Sequence, residues 1–276
     1  MSIPAFRRNT VPLVLAAVTA ALIAREVARN WLVQNGYAPA FAADLSYFVV
    51  PPAMVLLMFP LWRDARIYIA RCYQRADLSL NVVVVAIAIG VLIRLTWWGT
   101  TFARVSFGWT SASGISETIG PHFSWQCPAP VVLVTGILVM AVVVPIIEEI
   151  THRGYIYRAA LRWNVPAAVI VSSIVFTVFH KFDSWITVFL IGIVFAIQFQ
   201  RTGSLWSSTI THATYNFLIQ FDWRCLRGRW LVADREIPVL DVGVASLAVC
   251  ALTIAAICAL LVRLPGADYH PGQDPT

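Results

Sequence analysis

The sequence predicts an all-α, polytopic bundle of about eight transmembrane helices, and three observations carry that expectation. The 276-residue chain is 59% hydrophobic, more than a water-solvated domain of this length can hide, because surface-to-volume scaling leaves much of any such domain wet. Only 12% of its residues are charged, about half the usual share of a soluble protein. Its mean hydropathy is +0.74, and the apolar residues gather in runs close to the roughly 20 that a helix needs to cross hydrocarbon.

The candidate spans lie at about 10–32, 44–62, 80–98, 128–147, 164–180, 184–200, 204–221 and 239–262. The first follows Arg7 and Arg8 as a signal peptide would, but it continues through Trp31 without a clear small-residue cleavage site, so a retained helix is expected. After the second span, the segment from Arg63 to Arg75 holds four arginines and should be cytoplasmic by the positive-inside rule. An even number of spans then puts both termini on that side. The same topology leaves Arg224, Arg227, Arg229 and Arg235 on the far side, against the rule.

The stretch 99–127 is polar, aromatic and glycine-containing and reads as an interfacial loop, with Trp97, Trp98, Trp109 and Trp125 suited to an aromatic belt. The tail after Pro265 reads as disordered. Four parts follow: helices and a polar loop at 1–127, a helical core at 128–221, a loop and last helix at 222–264, and the tail at 265–276.

A net charge of +6 would suggest nucleic acid in a soluble protein. Here the arginines sit mostly at the ends of apolar runs, and there is no basic run or nucleic-acid motif, so no such partner is expected. The five cysteines show neither a CxxC pair nor metal-ligand spacing, and Cys250 and Cys258 lie within an apolar run as small hydrophobes.

Ionisable groups inside membrane helices are costly and mark functional candidates. One cluster is Pro145-Ile-Ile-Glu148-Glu149-Ile-Thr-His152-Arg153-Gly154. Glu149 and Arg153 are four apart and can pair on one helical face, and Glu148 and His152 share a neighbouring face. Adjacent carboxylates point about 100° apart, so one can pair structurally while the other does chemistry. Pro145 removes a backbone bond just upstream and can kink the helix.

An ordinary polar helix end explains this cluster equally well. His180 ends an apolar run, where a lone histidine is more often interfacial than catalytic. His212 and Asn216 share a face of the 204–221 helix, where Ser204, Ser207, Ser208, Thr209 and Thr211 also fit polar glue between helices. Three separate packing accidents within some seventy residues are less economical than one shared polar cavity.

Glu148-Glu149-x-x-x-Arg153, Phe176-x-x-x-His180 and His212-x-x-x-Asn216, in that order on successive helices, resemble the three signatures of the CAAX-processing and bacteriocin-processing (CPBP) family. These are glutamic intramembrane proteases that include the Rce1-type CAAX prenyl proteases. The resemblance covers about 128–221, and the helix count is similar to the family's fold. It implies that Glu148 is the general base, activating a water together with His180. It further implies that His212 and Asn216 supply the oxyanion site, and that Glu149 and Arg153 form a mainly structural pair. His152 is not required by the pattern. No cofactor and no metal are implied. The implied partners are a membrane-associated protein or peptide and the lipid bilayer, in a multi-pass protein of the cell (inner) membrane if the source is bacterial. A prenylated C-terminal peptide, a bacteriocin leader and another membrane-anchored protein all remain open as substrate.

Two rival readings come from the residues themselves. Glu149-x-x-His152 has the spacing of di-iron bundles, and His180 and His212 could complete a di-iron or zinc site of a hydrolase or oxidase. Against this, the chain has no second Glu-x-x-His and no His-Glu-x-x-His, and Arg153 would crowd a cation. Intramembrane Glu, His and Asn also build proton relays, so a transporter or non-enzymatic scaffold is the other rival. The chain shows no inverted repeat or glycine-broken helices of the common transporter folds.

Overall fold

A computed structural model describes residues 10–58, 69–74, 78–107, 130–220 and 239–264. Among them are eight helical segments, all-α as expected, beside a helical turn at 69–72. Helix α1 is Thr10–Gln34. Helix α2 covers 39–57 and tightens to a 3₁₀ turn at Tyr47–Val49. Pro51 and Pro52 follow after Val50, and neither has an N–H to give back to that turn.

Helix α3 is Leu80–Ser106. The sequence places a polar loop from about 99, but the helix carries on for two more turns. Its residues there pack on the last helix: a Cβ at Gly99 would meet Cys250 Sγ at 2.6 Å, so only glycine allows this approach.

Helix α4 occupies 130–160, wound as α-helix except for two π-type stretches at Val139–Val143 and Ile150–Tyr157. The sequence ends this span near 147, where a polar helix end emerging at an interface is one of the two readings of the residues that follow. Instead Thr151, His152, Arg153, Gly154, Tyr155, Ile156 and Tyr157 are all buried. The polar residues are sheltered by protein, so the helix has no reason to end. Pro145 sits just past the first π stretch, where its missing N–H fits a ladder already out of α register.

Helix α5 is Val165–Val178, capped by Asn164, whose side chain accepts from the Ala167 N–H at 2.7 Å. Helix α6 is Trp185–Thr202 and ends on Gly203 at φ 65°, the left-handed turn that glycine enters freely. Helix α7 is Leu205–Gln220 and α8 is Val239–Arg263. The expected interfacial loop beyond 107, the arginine segment 224–235 and the tail lie outside the described residues.

Among the described residues five segments are long and apolar enough to cross a membrane, 11–34, 80–104, 130–160, 185–202 and 243–263, with shorter apolar helices at 41–57 and 165–178. Large apolar side chains point outward from them, Leu56, Leu252 and Val262 among them, as lipid allows and water does not. The chain is an integral membrane protein. Helix α7 differs: it touches α3, α4 and α6, and Ser207, Ser208, Thr209, Thr211, His212 and Asn216 on it are buried. Its polarity is tolerated because protein, not lipid, surrounds it.

Candidate functional site

The site is built where α4 passes α5, α6 and α7. Arg153 Nη1 donates to Glu149 Oε1 at 3.0 Å, and both side chains are wholly buried. The second arm of the guanidinium, Nη2, donates to the Gly192 carbonyl of α6 at 2.9 Å. A Cβ at Gly192 would press on Ser173 Cα at 3.2 Å, so glycine here lets α6 lie close to α5. The guanidinium carbon also lies 4.8 Å from the Phe176 ring centre and 5.2 Å from that of Phe195. This cation is therefore held by a carboxylate, a carbonyl and two ring faces, while its buried Nε makes no hydrogen bond among the described residues.

Phe176 is the hub of the cluster. Its ring centre lies 5.1 Å from that of His152, 4.8 Å from His180 and 5.8 Å from His212. His180 Nδ1 lies 2.8 Å from the Phe176 carbonyl, and His152 Nδ1 lies 2.7 Å from the Glu148 carbonyl. A carbonyl only accepts, so in both rings Nδ1 carries the hydrogen, and a neutral ring then keeps an acceptor lone pair on Nε2.

His212 lies between the two carboxylates. Its Nδ1 is 3.3 Å from Glu149 Oε1 and its Nε2 is 3.6 Å from Glu148 Oε2. The second distance is too long for a hydrogen bond, and Glu148 Oε2 has no hydrogen-bond partner among the described residues. Glu148 also keeps 28% of its side chain exposed, against none for Glu149. Asn216 Nδ2 donates to the Met140 carbonyl at 2.8 Å, inside the first π stretch of α4, and one amide hydrogen remains.

Glu148, His152, His180, His212 and Asn216 line one cavity of about 580 Å³, and Glu149 and Arg153 lie behind its wall. The four residues expected to do chemistry thus share a cavity, and the pair expected to be structural does not reach it. His212 and Asn216, expected to aim at a common point, are partly engaged elsewhere, with Glu149 and with Met140. Glu149 and His152, the di-iron-like pair, are turned to Arg153 and to a backbone carbonyl. Among the described residues no three His, Cys, Asp or Glu side chains come together as a metal site.

Residues 130–218 match a family model described as Rce1-like, Type II CAAX prenyl endopeptidase Rce1-like. Over this segment, about a third of the chain, the protein is similar to that family. No curated protein and no solved structure matches the chain. The matched segment runs from α4 to α7 and contains every residue of the three motifs. It does not contain the opposite wall of the cavity, where α1 and α2 contribute Val18, Leu22, Arg25, Glu26, Tyr47 and Met54. The motifs give no hint of that wall. The signal was present in the sequence: Arg25 and Glu26 interrupt an apolar run on the same face as Val18 and Leu22, at helical spacing.

Proposed function

We propose that the protein is an intramembrane endopeptidase of the glutamic type, in which Glu148 and His180 activate a water against a peptide bond of a membrane-associated substrate. One observation carries this reading: Glu148, the exposed member of the carboxylate pair, lines the same cavity as the free Nε2-bearing ring of His180. Glu148 takes a proton from the water, and His180 Nε2 accepts the water's other hydrogen and orients it. The hydroxide adds to the peptide carbonyl, and the proton held by Glu148 passes to the departing amine.

The oxygen that becomes negative is met by Nε2 of His212 and the remaining amide hydrogen of Asn216. For His212 to donate there while Nδ1 faces Glu149, either the ring carries both protons or Glu149 carries one. The Glu149–Arg153 pair holds α4 against α6, so that Glu148 projects to the cavity. The similarity to a family of CAAX prenyl endopeptidases supports a prenylated C-terminal peptide as first substrate.

The test is cleavage of a quenched farnesylated peptide by the purified protein in nanodiscs, beside Glu148→Gln, with and without a strong chelator. Turnover that survives the chelator and falls at least about a hundredfold in Glu148→Gln is expected. Turnover lost to the chelator and restored by a divalent cation would overturn the assignment and move His152, His180 and His212 into ligand roles.

A further inference from the structure

His180 is not held by a helix. Helix α5 ends at Val178, Phe179 leaves helical geometry at φ −88° and ψ 3°, and the chain is extended at Lys181, with ψ 139°. Three hydrogen bonds fix His180 instead. Its N–H donates to the Thr177 carbonyl at 2.9 Å, its Nδ1 to the Phe176 carbonyl at 2.8 Å, and its own carbonyl accepts from Trp185 Nε1 at 3.0 Å. The first two run back into α5 and move with it. The third comes from the first residue of α6, so it sets how His180 stands against that helix. Without the indole N–H the peptide after His180 can rotate, and Nε2 then shifts relative to Glu148.

The indole is in turn braced from outside. Its ring centre lies 4.9 Å from that of Phe182, and Phe182 and Ile186 project from the turn, 80% and 81% exposed. Lys181, the one lysine of the chain, is exposed beside them. The segment 185–202 is long and apolar enough to cross the membrane, so this turn stands at the end of a span. There an aromatic ring and a lysine suit the headgroup level, and exposed apolar side chains suit the acyl boundary just beneath it. The opposite face of the same end of α6 enters the cavity through Ser184 and Val188. Half-buried Trp185 stands between the two.

We infer that Trp185 is a positioning residue for His180, through which the 181–186 turn, seated in the lipid interface, sets where Nε2 stands in the cavity. This rests on the hydrolytic reading above and adds to it that contact with the bilayer at the α5–α6 turn governs the rate.

The experiment uses the full chain in nanodiscs and the quenched farnesylated peptide. Trp185→benzothienylalanine, inserted by codon suppression, exchanges the indole N–H for sulfur and keeps the bulk that Trp185→Phe would lose. It should lower kcat at least about tenfold and leave KM within about twofold, with thermal unfolding unchanged. In a double-mutant cycle it should add nothing to the loss caused by His180→Ala. The ring-nitrogen NMR resonances of His180, assigned by their disappearance in His180→Ala, need no turnover. They should shift in the isosteric variant while those of His152 stay. The pair Phe182→Ser and Ile186→Ser, which removes the apolar seat, should shift the same resonances and lower kcat, and should add nothing once the indole N–H is gone.

An isosteric variant with normal kcat and unmoved His180 resonances overturns the inference. So does a loss of kcat that adds fully to that of His180→Ala, which would make Trp185 a support of the fold alone. Resonances that ignore Phe182→Ser and Ile186→Ser overturn the lipid seat. Undiminished cleavage by His180→Ala would instead sink the hydrolytic reading, and the resonances would still decide whether the indole places the ring.

Discussion

The Arg153 guanidinium and the Glu149 carboxylate meet at 3.0 Å where neither side chain has any exposed surface, while Glu148, one residue earlier, opens onto the cavity. Two adjacent glutamates thus occupy different environments because the helix turns them apart and only one has a cation beside it. Removing one member of a buried ion pair leaves an uncompensated charge, a loss of about 3–5 kcal/mol. Arg153→Met should therefore lower the stability to chemical unfolding by about that much. The double variant Glu149→Leu with Arg153→Met should recover most of the loss. A double variant no more stable than Arg153→Met would show that Arg153 acts mainly through Gly192 and the two rings.

Glu148 should behave in the opposite way. Its Oε2 makes no hydrogen bond among the described residues, so Glu148→Gln should change stability by less than about 1 kcal/mol while turnover collapses. Glu149→Gln should destabilise first and lose turnover as a consequence. Unfolding curves and peptide cleavage measured on the same preparations separate the two, and a Glu148→Gln protein that cleaves normally would remove Glu148 from the chemistry.

The polar residues of the site were legible in the sequence because spacing alone brings some of them together. The four-residue step puts Arg153 on Glu149, and the ordered motifs on three helices call for one shared cavity. The length of α4 was not legible, because a run of Thr151, His152 and Arg153 looks like an interface when the protein around it is unseen. The π winding at Val139–Val143, which gives Asn216 a carbonyl to bind, has no local signature beyond Pro145. The α1 wall was missed for a different reason: long-range packing decides which face of an apolar helix meets the site, and the motifs carry no information about α1.

Gly154 tests the docking of the 69–74 segment on α4. A Cβ there would collide with Ile69 Cδ1, the far end of a flexible side chain. The same segment is tied to α7 by Tyr73 OH with Thr209 Oγ1 at 2.9 Å and by Trp206 Nε1 donating to the Tyr73 carbonyl at 2.9 Å. Gly154→Ala should cost no more than about 1 kcal/mol, because the Ile69 tip can turn aside and alanine favours the helix over glycine. Adding Ile69→Ala should return part of it if the clash is the cause. Additive losses in the double variant would place the strain elsewhere.

Helix α7 is tied to α6 and α3 at the level of His212. Gln198 of α6 is fully buried, and its Nε2 donates to Thr211 Oγ1 at 2.8 Å. Thr211 in turn donates to the Ala86 carbonyl of α3 at 2.8 Å. Gly90 lets α3 approach, since a Cβ there would meet Thr214 Cβ at 2.7 Å. Thr211→Val keeps the shape but removes both Thr211 hydrogen bonds, leaving Gln198 Nε2 only the longer contact to Ser207 Oγ at 3.4 Å, at a cost of about 1–3 kcal/mol. Because His212 is the next residue, a shift of α7 also moves its ring against Glu148, and small misplacements of reacting groups cost about ten- to a hundredfold in rate. Thr211→Val should thus lower kcat by that order with KM nearly unchanged, and Thr211→Ser, which keeps the hydroxyl, should restore it. If Thr211→Val loses stability but retains kcat, the tie serves the fold alone and His212 is positioned by the two glutamates.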